Sequence, residues 1–444
     1  MSRAHASPLP AARGHSPTGP AARARRPGPS LTAGASVVAL ALGLVVALAP
    51  VPAGAAPSWS LDTSPNAGTE QNVLPGVSCV SAVDCVAVGY AENTNLVRQT
   101  LVESWNGTTW TVVPSPDEGS GNSELNDVSC LSATWCQAVG DYDAGSDTTQ
   151  ILVERWNGTA WSIVPAPDDG AASNSLGDIS CLTTTWCTAV GSFVDASAVT
   201  QNLVEQWNGT TWSIVSGPDV GTHDNFLGNV ACTSTTWCVA AGYDYNGSDL
   251  TQTLVESWNG TAWSVVPSPD VGSGSNALTG VTCTSTTACT AVGYEVPTSP
   301  VVPDGIHART LVESWNGTTW SVVASPDEGT ESNNFYAVSC TSTSSCVAVG
   351  SQWQGHAPSV SKTLIESWDG TTWSVVTSPD YGGTEAINFL LALSCVPDGF
   401  CAAVGYHNVN TRTETLIETL PGSGTPTSLT TDLTGGGQSA TAIT

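Results

Sequence analysis

The sequence predicts an all-β fold, a seven-bladed β-propeller of four-stranded antiparallel blades with one disulfide per blade, and three observations carry that expectation. A Cys-x5-Cys unit recurs seven times, at Cys79 and Cys85, Cys130 and Cys136, Cys181 and Cys187, Cys232 and Cys238, Cys283 and Cys289, Cys340 and Cys346, and Cys395 and Cys401; the first five copies start 51 residues apart and the next two follow at 57 and 55. A fixed period of this size marks a propeller, a solenoid or an array. Each copy also divides into four short β-branched and aromatic runs separated by turn residues, a strand signal and not a helical one. Finally, the chain ends are out of phase: residues 59–65 match only the fourth run of a unit, whereas Thr415–Glu418 match the third with no fourth behind it. A linear array has no reason to start and stop this way, but a ring closed by pairing its termini does.

Ahead of the repeats, residues 1–30 are rich in Arg, Pro and Ala, Ser36–Pro50 is an apolar run, and Ala53-Gly54-Ala55 supplies small residues for cleavage. That is the layout of a secretory signal, too short in its apolar part for a comfortable membrane span. Residues 1–56 are therefore expected to leave, placing the mature chain outside the cell with no membrane insertion. Export suits the fourteen paired cysteines, because disulfides persist in that setting. Zinc ligation fits less well, since the spacing is five and no His recurs beside the pairs.

Removing residues 1–56 leaves five Lys and Arg against 38 Asp and Glu, a formal charge of −33. Nucleic acid and anionic membrane surfaces are excluded as partners by that sign.

Within a unit, typified by residues 230–270, the runs are named A to D. The Cys pair is expected to staple the A–B hairpin, so that Cys130 bonds Cys136 and each other pair closes on itself. Asn-Gly, as at Asn259-Gly260, reads as a two-residue turn between C and D, because both residues tolerate positive φ. Pro at the end of D stops further pairing on the outermost strand. The propeller is thus expected over residues 57–421, with a disordered Gly/Thr/Ser-rich tail at 422–444.

The rhythm of an aromatic residue opening strand D after a tight turn resembles kelch and galactose-oxidase-type propellers. The turn itself, Ser104-Trp105-Asn106-Gly107-Thr108-Thr109-Trp110 and its copies, is similar to the Asp-box of sialidase-like propellers, with one residue fewer before the Gly and Asn for Asp except at Asp369. A single Gly in strand B replaces the kelch Gly-Gly pair. The resemblance implies a propeller architecture, on which enzymes, lectins and protein-binding modules are all built.

Candidate chemistry is sparse. Each strand C carries a carboxylate, from Glu103 through Glu154, Glu205, Glu256, Glu313 and Glu366 to Glu418; one per blade points to hydrogen bonding between blades. The Asn-Gly-Thr sequences double as glycosylation sequons, although the turn already requires Asn-Gly. An Asp follows each strand D (Asp117, Asp168, Asp219, Asp270, Asp327, Asp380); it reads as an Asx-type turn, calcium being the alternative for such oxygen-rich loops. No cofactor or metal is expected, and no nucleophile elbow, phosphate loop or metal-binding His pair is present.

The BC and DA connections share one face of the ring and vary, so specificity is expected there. That face gathers the unusual residues of blades five to seven: His307, Arg309, Trp353, His356, Lys362, His407 and Arg412. The leading expectation is a secreted, monomeric, non-catalytic propeller that binds a glycan or an extracellular protein through them. A carbohydrate-active hydrolase or lyase, and a purely structural surface component, stand as the alternatives.

Overall fold

Two residues set the spacing of the molecule: the strand-B glycine that lets the innermost strand approach, and the strand-C glutamate that meets the preceding blade. The computed structural model describes residues 57–422 apart from 146–147, 171, 299–306, 355–359, 383–385 and 410–411. The expected signal segment, most of the expected tail and His356 lie outside the described residues. Seven four-stranded antiparallel sheets follow one another around a ring. The first blade runs from strand A (Asn72–Ser81) through B (Asp84–Glu92) and C (Arg98–Trp105) to D (Trp110–Val112). In the seventh, A (Asn388–Cys395), B (Cys401–Val409) and C (Arg412–Leu420) are completed by Ser60–Asp62 from the other end of the chain. Ser60 pairs with Thr419 and Asp62 with Ile417, which closes the ring.

All seven expected disulfides are formed, and each stays within its own blade. Cys79 bonds Cys85, Cys130 bonds Cys136, Cys181 bonds Cys187 and Cys232 bonds Cys238. In the later blades Cys283 bonds Cys289, Cys340 bonds Cys346 and Cys395 bonds Cys401. The partners stand directly opposite one another on strands A and B, as in the Cys79↔Cys85 and Cys130↔Cys136 registers. Cys136 is also buried, packed with Leu125, Val128 and Trp161 in the interface between the first and second blades. A bulge further along strand A brings its backbone hard against the Gly of strand B. A Cβ on Gly89 would stand 1.9 Å from the Val73 carbonyl oxygen, and one on Gly140 2.1 Å from that of Glu124. Only glycine permits that approach.

The C–D turn corrects the expectation of a two-residue hairpin. Trp105 pairs with Trp110, leaving four residues in the loop, and of these only Gly107 has a positive φ. Asn106 contributes its side chain instead: its Oδ1 accepts from the backbone N–H of Thr108 and Thr109, both at 3.0 Å. At the one Asp copy, Asp369 Oδ1 accepts the Thr371 hydroxyl as well as the backbone N–H groups of Thr372 and Thr371, and these bonds, the hydroxyl's foremost, hold its carboxyl down at about 2. The paired tryptophans are blade-packing residues, with ring centroids 5.5–5.9 Å apart. The second of each pair is buried, and the first ties down the A–B turn, as Trp105 Nε1 donates to the Ala82 carbonyl.

The aspartate after strand D also has a different role from the expected Asx turn. Asp117 Oδ1 accepts the backbone N–H of Thr100 at 2.7 Å, and Asp168, Asp219, Asp270, Asp327 and Asp380 do likewise for their own strand C. Pro has ended the ladder at that point, so a side chain takes over the edge amide.

Hydrophobic clusters fill each interface between blades, for example Val139, Val153, Leu176, Ala189 and Leu203 between the second and third. The strand-C glutamates, all fully buried, sit in these interfaces. Ser64 donates to Glu103, Ser115 to Glu154, Ser268 to Glu313, Ser325 to Glu366 and Ser378 to Glu418, in every case from the preceding blade. Burial pushes Glu103, Glu154, Glu205, Glu256, Glu366 and Glu418 up to about 8 and Glu313 to about 7. They are scaffold residues spread around the ring, and their burial favours the protonated form.

Candidate functional site

Strand A begins and strand B ends on the face that carries the BC and DA loops, so residues there surround the mouth of the central channel. The channel encloses a cavity of about 660 Å³ lined by the strand-A residues of all seven blades. Two side chains per blade matter most, the one at the strand-A bulge and the one that follows the strand-B glycine.

At the bulge, blades two to four carry Asp127, Asp178 and Asn229, where the others have Gly76, Gly280, Ala337 and Ala392. Each of the three accepts a backbone N–H from the next blade: Asp127 Oδ2 from Ile179 at 3.3 Å, Asp178 Oδ2 from Val230 at 2.5 Å and Asn229 Oδ1 from Val281 at 2.8 Å. The Asp127 and Asp178 carboxyls also lie within hydrogen-bonding distance of each other. Asp127 keeps some solvent contact through the channel, yet protein atoms surround it. Burial raises both groups, and the Asp178 charge drives Asp127 further upward. Two like charges placed close together disfavour full ionisation of the pair.

After the strand-B glycine, four blades place a tyrosine: Tyr90, Tyr243, Tyr294 and Tyr406. Tyr245 and the channel-lining Tyr336 join them, and all six remain partly exposed. Tyr243 lies near Tyr245 and Tyr294, Tyr336 near Tyr294, and Tyr406 near Tyr336 and Tyr90, so the phenols follow one another in an arc from blade four round to blade one. Phe226 stacks on Tyr243 and Phe389 on Tyr406, each at 5.0 Å.

Across the mouth, blades one to three are polar. Arg98 Nη1 bonds Glu124 Oε2 at 2.6 Å and its guanidinium lies 4.3 Å from the Tyr90 ring centre. Ser175 Oγ donates to Asp141 Oδ1 at 2.6 Å, and Asn126 Nδ2 donates to the Leu176 carbonyl at 2.9 Å. Burial pushes Asp141 up to about 6. Half the rim is therefore aromatic and half offers carboxyl, amide and hydroxyl groups. That combination can stack against the C–H faces of a sugar ring while hydrogen-bonding its hydroxyls.

The residues singled out from sequence are placed as follows. His307 Nδ1 stands 3.3 Å from Glu331 Oε2, Arg309 Nη1 3.7 Å from Glu295 Oε1, and Lys362 Nζ 3.9 Å from Asp380 Oδ2. His407 is buried, stacked on Tyr381 at 3.9 Å with Glu414 3.9 Å from its Nε2, and burial lowers its pKa. Arg412 is exposed at the start of its strand. Of the set, Trp353 joins the aromatic arc, edge-on to Phe389 at 5.8 Å. None of these contacts joins one of the set to another, and each ties its residue to its own neighbourhood. The tyrosine arc and the aspartate pair went unread from sequence. Their signals were the repeated Gly-Tyr of strand B and two acids that break the strand-A consensus, at Asn126-Asp127-Val128 and Gly177-Asp178-Ile179.

No protein-family model matches the chain, and no curated protein matches it. Among solved structures, the fold is similar to YCF48 bound to D1 peptide, at 13% identity and TM-score 0.47 over 82% of this chain and 99% of that one. It is similar also to a Penicillium chrysogenum α-L-arabinanase complexed with arabinobiose, at 12% identity and TM-score 0.38 over 64% and 89% of the two chains. A third likeness is to a PL25 ulvan lyase, at 8% identity and TM-score 0.47 over 76% and 90%. Similarities this distant carry no inference about activity.

Proposed function

We propose that this chain is an exported binding propeller that takes an uncharged glycan at the BC/DA mouth of its channel. The observation that carries the reading is the arc of six partly exposed tyrosines facing Asn126, Asp141 and Ser175 across one opening. A rigid aromatic surface loses little side-chain entropy on binding, and the opposed polar rim fixes orientation. The formal charge of −33 on the mature chain disfavours anionic sugars.

The test is a screen of neutral and acidic glycans followed by titration calorimetry on the hits. Tyr294→Ala and Tyr336→Ala should each weaken a neutral ligand by tenfold or more, at about 1.4 kcal/mol per decade. The exposed Val375→Ser on a strand-D edge should leave affinity unchanged. Binding confined to acidic glycans, or insensitive to both tyrosines, would sink the proposal.

A hydrolase reading has one observation in its favour, the neighbouring carboxyls of Asp127 and Asp178 in the channel. Against it, each carboxylate already accepts a backbone amide of the next blade. Release of reducing sugar from a neutral oligosaccharide, abolished by Asp127→Asn, would reinstate it.

A further inference from the structure

The opposite face, where the A–B and C–D turns lie, holds a feature unrelated to glycan binding. The residue before the second cysteine of each blade leans into the interface with the next blade. In blades two, three and four it is Trp135, Trp186 and Trp237, and in blade seven Phe400. Each packs against the cluster that holds the disulfide and Trp pair of the following blade: Trp135 against that of Cys181, Cys187, Trp207 and Trp212; Trp186 against that of Cys238, Trp258 and Trp263; Trp237 against that of Cys289 and Trp320. Phe400 does the same with Cys79, Cys85, Trp105 and Trp110.

In blade five that position is Ala288, in the same register, opposite Ser285 as Trp237 is opposite Ser234. The facing wall keeps its usual form, with Cys340, Cys346, Trp368 and Trp373. What remains is a cavity of about 130 Å³ lined by Ala288, those four residues, Val312 and Val323, with Thr290 and Ser314 supplying hydroxyls. The two other crevices without an aromatic differ in kind: Asp84 holds the position in the first blade, and the crevice after Ser345 faces Leu420 in place of the first Trp of the pair.

We propose that the crevice between blades five and six is a binding site for a small aromatic molecule of indole size, which takes the place that an indole side chain fills in three sister crevices. The occupant is defined by the protein's own repeats, since near-identical walls close around a tryptophan three times. A ring that carries one N–H, such as indole, can donate to Thr290 or Ser314 while its faces meet Trp368 and Val323. An empty cavity leaves its lining without dispersion partners, and a ligand of the right shape restores them.

The probe is 5-fluoroindole, followed by fluorine NMR on the disulfide-intact mature chain. The wild type should give one saturable bound signal and a saturable rise in Tm. Ala288→Trp should lose both while raising the Tm of the free protein. Ala288→Leu, a smaller filling that folds even if the indole does not fit, should weaken the probe at least tenfold. Trp237→Ala, which opens the same space between blades four and five, should acquire a second bound signal. Absence of a bound signal in the wild type at millimolar probe, or a signal that survives both fillings of position 288, would overturn the assignment. Neither outcome bears on the glycan site, which lies on the other face.

Discussion

The hydroxyl of Ser115, just past the last strand of the first blade, donates to Glu154 Oε2 in the second blade at 2.6 Å, deep in an interface where no cation among the described residues balances a charge. Five such Ser–Glu pairs recur round the ring, and Asn202 substitutes as donor to Glu256 at 2.9 Å where Gly217 replaces the serine. A buried carboxyl in this setting is most stable when protonated. The ring is in effect held by neutral acids, which makes its stability a function of pH.

The first prediction concerns that dependence. A carboxyl raised from 4.5 to about 8 in the fold binds a proton that the unfolded chain has already released between those values. Its stabilising contribution is complete below about pH 4.5 and lost as pH climbs through 8, at about 1.4 kcal/mol per pH unit for each retained proton. Seven such groups outweigh the opposite tendency of His407, whose lowered pKa favours the neutral form at higher pH. The urea midpoint should therefore fall steadily from pH 5 to pH 8.5, and a flat or rising profile would contradict the protonated-ring account.

Glu205 supplies the second. Among the described residues neither of its buried carboxyl oxygens has a hydrogen-bond partner, and Ala166 stands where the donor serine is found in other blades. Ala166→Ser should stabilise the protein by about 1 kcal/mol, the usual net yield of one hydrogen bond. Glu205→Gln should do little at pH 5 and stabilise at pH 8.5, where the wild type must otherwise ionise or hold a proton against its surroundings. Denaturant titration at the two pH values reads both.

Ring closure gives the third. Deleting residues 57–66 removes the buried Trp59, the Ser60–Asp62 strand and the Asn66 acceptor for Thr415. The edge of Arg412–Leu420 would then be open to another chain. The truncated protein should melt lower over the whole ring and self-associate, as light scattering and a thermal scan would report. A monomer with the parent's Tm would contradict closure.

A fourth prediction tests the strand-B glycine. Gly191→Ala would set a methyl 2.0 Å from the Ser175 carbonyl oxygen, which is backbone and cannot swing aside. The cost should reach at least the roughly 1–3 kcal/mol typical of overpacking, whereas the exposed Gly228, with open space around it and no positive φ, should accept Ala at lower cost. Denaturant midpoints of the two variants compare them.

What could be read from sequence was what repeats locally. Cys79 and Cys85, Cys130 and Cys136, the Trp105–Trp110 spacing and the lone strand-D segment at Ser60 each declare themselves within one unit or at a chain end. The strand-C glutamates were legible as inter-blade acceptors because one per blade leaves no other regular role. The rest depends on partners about 50 residues away, such as Asp127 with Ile179 or Tyr336 with Tyr294, and on which face of a strand each side chain takes. The basic side chains grouped from sequence at blades five to seven share a face of the ring, but sequence could not reveal that Glu331, Glu295 and Asp380 stand beside His307, Arg309 and Lys362.

Each of the seven bridges joins cysteines only six residues apart that already face one another across a hairpin. Oxidation therefore needs no search among distant thiols, since the local turn delivers the right sulfur before any other can arrive. A loop that short closes in well under a microsecond, far faster than disulfide exchange proceeds. Fourteen cysteines that look like a pairing problem are in kinetic terms seven independent and identical events. A cell able to oxidise thiols, but poor at reshuffling wrongly paired ones, could still make this protein in its native form.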